Sequence, residues 1–351
     1  MSKYQNIQIQ SDLAELIQQD IDWSLLKEKT VLITGATGML GSYIGFTLLY
    51  LNERLGLKIR PIFLARKKDK LEHVYGDALK SVTCLVQDVC SPIELNHSVD
   101  YILHAAGSSS PYSIINDPVG VINANVKGTQ NILELSRRIG VKKIVFTSTR
   151  EVYGQLRDEN YISEEQMGSL DPLNPRNCYP ESKRLAEALL QAYQCQYRIG
   201  FNSLRIAHCY GPGMQLDSDG RVMADLLNDV INKRDITLKS LGEAERAFCY
   251  ITDAVSGIFR VMLSGNRNEA YNLSNEKEPI SIGDLANLIQ EVSGNSKGVL
   301  FDVSQDQRGY TDYRRVSLDT KRIEDLGWSA NVPLKIGIKR TLNSISSCAK
   351  S

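Results

Sequence analysis

The chain has 351 residues, 42% of them hydrophobic, and its Lys+Arg and Asp+Glu counts are both 41. That length suits one large domain with a smaller lobe, and the apolar share can fill a sizeable core. The balanced charge excludes a global field for nucleic acid or an anionic membrane, while leaving room for local arginines to hold a small anion.

Residues 1–28 read as a short helical preface, with Leu13, Ile17 and Ile21 on one face and Trp23 anchoring it to the main body. The opening MSKYQNIQIQSDLAELIQQD lacks the basic-then-apolar pattern of a signal peptide. Strand and helix signals then alternate. TVLITG (30–35) is followed by a helix from about Met39 to Asn52, then IRPIFLAR (59–66), SVTCLVQD (81–88) and VDYILHAAG (99–107). A helix near 118–139 leads to KKIVFTST (142–149), a helix at 181–198 and FNSLRIAHCYG (201–211). Apolar β-branched runs separated by helical stretches predict an α/β fold, a doubly wound parallel sheet.

After about residue 212 the pattern loosens into helices and short strands. The organisation expected is an extension (1–28), a dinucleotide-binding domain (29–211, with a return segment near 247–275) and a smaller substrate-binding lobe (mainly 212–351). No internal repeat or low-complexity segment is visible. The seven cysteines (Cys84, Cys90, Cys178, Cys195, Cys209, Cys249, Cys348) are scattered without a Cys-x-x-Cys and read as reduced thiols. His73, His97, His104 and His208 form no metal motif, so no metal is expected. No uncharged apolar run approaches the roughly 20 residues of a membrane span. A soluble cytoplasmic protein with neither nucleic-acid nor membrane partners is expected.

VLITGATGMLG puts Gly35, Gly38 and Gly41 after a strand and at a helix start, with Thr37, Met39 and Leu40 between them. Glycines there let backbone N–H groups approach a pyrophosphate; the alternative is a tight turn with no ligand. The next strand ends in FLARKK, with Ala65 where an acid for the ribose hydroxyls of NAD is expected, then Arg66, Lys67 and Lys68. This basic cluster either holds the 2′-phosphate of NADP or merely solvates a loop. Asp88 is a candidate for the adenine edge, although an Asp also ends strands without any ligand.

NCYPESKRLAE holds Tyr179 and Lys183 four residues apart, on one helix face. A lysine ammonium beside a phenol favours the phenolate, a base suited to take a proton from an alcohol as hydride leaves its carbon. Thr149, at a strand end, can hydrogen-bond the same alcohol. Glu151 is either a second catalytic group or a loop residue paired with Arg150 or a lysine.

With these motifs in view, the sequence resembles the extended short-chain dehydrogenase/reductases that remodel nucleotide sugars. The resemblance rests on TGATGMLG, HAAG, NANVKGTQNILE, STREVYG, YPESK and YNLSN. It implies a Rossmann-type domain binding NAD, with NADP possible, through Gly35, Thr37, Gly38, Met39, Leu40, Arg66, Asp88, Ala105 and Lys183. Tyr179 as base, Lys183 as its tuning partner and Thr149 complete the implied triad. SSSPYSIINDPVGVI, RNCYPESKRLAE and DGRVMADL are most similar to stretches of UDP-glucuronate decarboxylases, and Glu151 stands where these and the 4,6-dehydratases carry a catalytic Glu.

The substrate implied is a nucleotide sugar, UDP-linked, held through Ser110, Arg150, His208, Arg221, Arg246 and Arg314. Arg314 and Arg315 are interchangeable candidates. Arg150 and His208 depart from the family pattern, which carries Ser or Asp and an Asn at those places. C4 epimerisation, 4,6-dehydration and NADP-dependent reduction of a 4-ketosugar stay open beside decarboxylation, as does a non-catalytic dinucleotide sensor. A homodimer through a four-helix interface is implied as well. Asp253 in YITDAV is expected to N-cap the helix that follows.

Overall fold

The computed structural model describes residues 2–95, 97–156, 161–217, 219–294, 298–302 and 317–348. Seven strands form one parallel sheet: β1 (Thr30–Thr34), β2 (Arg60–Ala65), β3 (Thr83–Val86), β4 (Tyr101–His104), β5 (Lys143–Thr149), β6 (Phe201–Ile206) and β7 (Glu269–Leu273). Their order is β7-β6-β5-β4-β1-β2-β3. Every residue of β1 and β5 is buried, as expected for central parallel strands covered by helices on both faces. Because β1 pairs with β2 on one side and β4 on the other, the strand order reverses at β1, and the crevice beyond the strand ends there is the usual ligand position.

The helices are α1 (Ile7–Leu16), α2 (Met39–Leu55), α3 (Lys68–Tyr75), α4 (Pro111–Asn116), α5 (Pro118–Ile139), α6 (Cys178–Tyr197), α7 (Val222–Ile231), α8 (Ile251–Ser264), α9 (Ile282–Ser293), α10 (Lys321–Glu324) and α11 (Leu334–Cys348). Proline opens α5, where a missing N–H costs nothing, and Gly140 in the left-handed conformation ends it.

Several boundaries differ from the sequence reading. The segment 201–211 is not one strand. His208 takes φ 42°, breaking the extended run, and Cys209–Tyr210 instead pairs in parallel with Cys249–Tyr250. Helix α1 stops at Leu16, so its buried face is Ile9, Asp12, Leu13 and Leu16, and Ile17 is only its C-cap. Trp23 is buried against Phe259 of α8, and its indole N–H donates to the Ile17 carbonyl. Asp253 does not cap α8. It lies inside the first turn, and its Oδ2 accepts from the Val332 N–H at 3.0 Å, fastening the segment before α11.

Candidate active site

The turn after β1 carries Gly35 at φ 67°, and a Cβ there would stand 2.6 Å from the Ala105 carbonyl oxygen beyond β4. A Cβ on Gly41 would meet the Gly35 oxygen at 2.3 Å. Only glycine lets the β1 turn, the β4 turn and the start of α2 lie so close. Helix α2 begins after Gly38 with no side-chain cap and no acidic residue in its first turn. Met39 and Leu40 open it, with Thr37 just before, so neither a side-chain cap nor an acid of its own first turn takes up its N-terminal N–H groups. This is a cradle for an anion such as a dinucleotide pyrophosphate, and the residues present fit that group.

A buried network fixes the β4 turn. The His104 ring is fully buried, with Nδ1 2.8 Å from Thr34 Oγ1 and Nε2 3.1 Å from Thr129 Oγ1. Thr129 gives its own proton to the Asn125 carbonyl, so Nε2 carries the ring proton and Nδ1 accepts from Thr34. Thr34 Oγ1 in turn accepts from the N–H groups of Ala105 and Ala106, at 3.2 and 3.1 Å. Burial, then the charge of Lys183, pushes the histidine down to about 3, so it stays neutral and acts as a strut.

Helix α6 delivers Tyr179, Lys183 and Glu187 four residues apart on one face. Glu187 takes a two-pronged contact from Arg205 of β6, Nε at 3.2 Å and Nη2 at 2.8 Å, and a third bond from Ser203 Oγ at 2.7 Å. Arg205 Nη1 continues to the Tyr153 hydroxyl at 3.1 Å, and Arg184 Nε donates to the Val152 carbonyl at 2.6 Å. The helix is thereby tied both to the sheet and to the helical turn Arg150–Tyr153 that follows β5. Fork-shaped guanidinium contacts of this kind fix orientation as well as distance.

Thr149 ends β5, and its hydroxyl bonds the Tyr179 side chain and accepts the Glu151 N–H at 3.2 Å. Burial pushes the Tyr179 phenol up, and the Glu151 charge adds to this. The Thr149 hydrogen bond, Arg176 and Arg221 pull it back. Lys183 donates to the Thr147 carbonyl at 2.7 Å and lies 4.4 Å from the Phe146 ring centroid. Burial depresses the amine to about 7, so near neutrality much of it carries no charge.

Around this core, Glu151 is bound by Arg176, whose Nη2 reaches Oε1 at 3.1 Å and Oε2 at 2.9 Å. Arg150 and Arg246 both lie close enough to His208 to disfavour its charged form, after burial, the main cause; the ring stays neutral. Its Nε2 is buried without a hydrogen-bond partner. Arg221 precedes α7 and grips Asp219 through Nε and Nη2, at 2.5 and 2.9 Å, with its charge still reaching Tyr179. Ser110 caps α4, accepting the Ser113 N–H at 3.2 Å.

Arg66 is exposed beyond β2, and Asp88 is exposed beyond β3. The Cys90 N–H, 2.8 Å from Asp88 Oδ1, holds that carboxyl below its usual range, with Arg66 adding a smaller effect. Arg314 lies outside the described residues. Among the described residues no cluster of His, Cys, Asp or Glu is arranged to hold a metal ion, and no helix is long and apolar enough to cross a membrane.

Two residues at this site were not singled out from the sequence. One is Arg176. The other is Asn125, fully buried on α5, whose Nδ2 donates to Ser182 Oγ at 2.9 Å while its Oδ1 has no hydrogen-bond partner. A Cβ on Gly107 would lie 2.7 Å from that oxygen and 3.8 Å from Lys183 Nζ, so Gly107 keeps both polar atoms open to the turn after β4.

Comparison with known proteins places this geometry. The chain is 33% identical over 318 residues to UDP-glucuronic acid decarboxylase 1 of Xenopus tropicalis, covering 90% of this chain and 72% of that protein. It is 32% identical to UDP-glucuronic acid decarboxylase 5 of Arabidopsis thaliana, covering 88% and 86%. In fold it is similar to the UDP-glucuronic acid 4-epimerase of Bacillus cereus, solved with NAD, at a TM-score of 0.74 and 22% identity, with 92% and 98% covered. The dTDP-glucose 4,6-dehydratase of Streptomyces venezuelae, also solved with NAD, gives a TM-score of 0.77 at 24% identity, with 91% and 97% covered. Residues 31–274, which run from the glycine turn past the Tyr179 helix to the end of β7, match one family throughout, and the chain belongs to the NAD dependent epimerase/dehydratase family.

Proposed function

We propose that this chain is an NAD-dependent enzyme that oxidises C4 of a nucleotide-linked hexose, and that its substrate is UDP-glucuronate, which it decarboxylates. The observation that carries the reading is the hydrogen-bonded Tyr179–Thr149 pair at the end of β5, beside Glu151, in a chain that also holds the glycine turn after β1. The relatives at 31–33% identity are named as UDP-glucuronic acid decarboxylases, which favours loss of CO2 over the alternatives.

NAD, when bound, supplies a hydride acceptor that can return the hydride later. Gly35, Thr37, Gly38, Met39 and Leu40 would hold its pyrophosphate, with Arg66, Asp88, Ala105 and Lys183 along the rest of it. Tyr179 Oη takes the proton of the C4 hydroxyl, while Thr149 Oγ1 orients that hydroxyl by a hydrogen bond. Arg221 and Arg246 bind the diphosphate as guanidinium donors, with Ser110, Arg150 and His208 lining the sugar and Arg314 a further candidate. Glu151 handles the proton at C5. A C5 carboxylate β to the new ketone breaks its C5–C6 bond, the electron pair moves into the carbonyl, and C5 then takes a proton.

The test is NMR of the purified chain with UDP-glucuronate and a catalytic amount of NAD. Loss of the C6 carboxylate with appearance of a UDP-pentose, or its 4-keto form, is the expected result. An intact carboxylate with inverted C4 makes the chain an epimerase, and no reaction removes UDP-glucuronate as substrate. Repeating the assay with NADP asks whether Arg66, Lys67 and Lys68 serve a 2′-phosphate.

The homodimer is proposed through α5 and α6, whose outward side chains include Val119, Ile122 and Leu185, all exposed. Exposed apolar clusters on a helix pair favour association; a monomer mass by light scattering removes this assignment. The cytoplasm is the compartment we propose, in keeping with free thiols at Cys84, Cys90, Cys178, Cys195, Cys209 and Cys249. Recovery of the chain outside the cytoplasmic fraction of its cells overturns it. The split into a dinucleotide-binding domain (29–211 with the return near 247–275) and a substrate lobe (212–351) goes with this reading.

A further inference from the structure

Arg176 stands on a short helical turn, Pro175–Asn177, immediately before α6, where the Asn174 side chain accepts its N–H at 3.0 Å. Its side chain is 19% exposed and that of Glu151 25%, so their contact is largely out of water. One nitrogen, Nη2, serves both carboxylate oxygens. The other two, Nε and Nη1, are buried with no hydrogen-bond partner. Buried donors without a partner carry a desolvation cost, and two of the three guanidinium nitrogens bear it here. The guanidinium is held so that one nitrogen meets the middle of the carboxylate.

We propose that Arg176 is a positioning residue that acts through Glu151, fixing that carboxylate beside Tyr179 for the carbon-5 step. This rests on the reading of the chain as a C4-oxidising nucleotide-sugar enzyme in which Glu151 works at C5. The charged and titratable groups that bear on Tyr179 are Glu151 from the turn after β5, Arg176 from the turn before α6 and Arg221 from the start of α7. Arg221 already has Asp219 as its own partner, so Arg176 is the cation paired with Glu151. Glu151 sits in a turn only four residues long, Arg150–Tyr153, where its backbone N–H donates to Thr149. The carboxylate end is anchored by Arg176. Without that anchor a Glu side chain is free to leave the site for water, because rotamer freedom favours release.

The experiment follows single turnovers of wild type, Arg176→Gln, Arg176→Lys, Glu151→Gln and the Arg176→Gln/Glu151→Gln double variant with UDP-glucuronate. Reduction of the nicotinamide, release of CO2 and thermal unfolding are read in each. The expected result is that Arg176→Gln keeps the first hydride transfer within a few-fold of wild type while CO2 release and product formation fall by about 10²-fold. Glu151→Gln should show the same split, and the double variant should be no worse than Glu151→Gln alone, because residues that act as one unit do not add. Arg176→Lys, which can present one nitrogen to both oxygens, should recover part of the loss. The role is overturned if Arg176→Gln has no effect, if it slows both steps alike, or if its cost is as large with Glu151 already gone. A wild-type chain that reduces no nicotinamide with any nucleotide sugar sinks the functional reading itself, and the role falls with it.

Discussion

A Tyr179→Phe chain folds as its parent does and loses turnover by about 10²–10⁴-fold, the usual worth of a general acid or base. The ring is packed with Ile114 and Val121, which a phenylalanine ring serves equally well. Only the hydroxyl is lost, and with it one hydrogen bond to Thr149, worth about 0.5–1.5 kcal/mol. Initial rates and thermal unfolding on the same preparation separate the two effects. A correctly folded variant that turns over within a few-fold of wild type removes Tyr179 as the base. The pH dependence has a definite sign. The phenol is raised by burial first and by Glu151 second, so the phenolate grows in as pH rises, and the oxidation rate climbs with it. Glu151→Gln removes the second influence, and the rising limb of the oxidation step should move to lower pH. A rate that falls as pH rises through neutrality would contradict the assignment.

How much of this was legible in the sequence depends on the range of the interactions. The alternation of apolar runs and helical stretches named all of β1 to β6, most plainly the central β1 and β5, because parallel strands covered on both faces must be apolar throughout, whereas β3 at the sheet edge is largely exposed. The glycine spacing located the turn at the sheet's switch point, since only glycine tolerates the approach of the Ala105 carbonyl. Tyr179 and Lys183 were legible from their spacing of four on one helix. What they do electrostatically was not. The depression of Lys183 and the elevation of Tyr179 come from burial, which depends on how α5 and α6 pack and leaves no trace in local sequence. Arg176 was passed over for a related reason. It lay inside the quoted RNCYPESKRLAE without a role, because its partner Glu151 is 25 residues away in another turn. Asn125 sat inside a quoted stretch, yet a helical asparagine gives no sign of being fully buried.

The sharpest example is Asp12, and it carries the second large effect: Asp12→Ala should cost about 3–5 kcal/mol of unfolding free energy. Its carboxylate is fully buried on α1, where an amphipathic reading places apolar side chains. The Tyr43 hydroxyl of α2 donates to Oδ2 at 2.9 Å and the Tyr250 hydroxyl, just before α8, at 2.7 Å. Gln8 Nε2 reaches Oδ1 at 3.0 Å and Arg340 of α11 at 3.3 Å. Burial pushes the carboxyl up, and these hydrogen bonds together with Arg340 oppose that. One side chain thus joins the N-terminal helix to the first helix after the glycine turn and to the C-terminal helix. Its partners Tyr43 and Tyr250 are 31 and 238 residues away, so no periodicity could have announced them. Alanine leaves the two buried tyrosine hydroxyls without their acceptor, while Arg340 keeps Glu15, and each orphaned hydroxyl carries its own desolvation cost. Denaturant unfolding of the two chains measures the difference. A loss below about 1 kcal/mol would mean that α1 is an appendage; the expected loss means that residues before the family match at 31 are part of the folding unit that holds α2, and with it the glycine turn, in register.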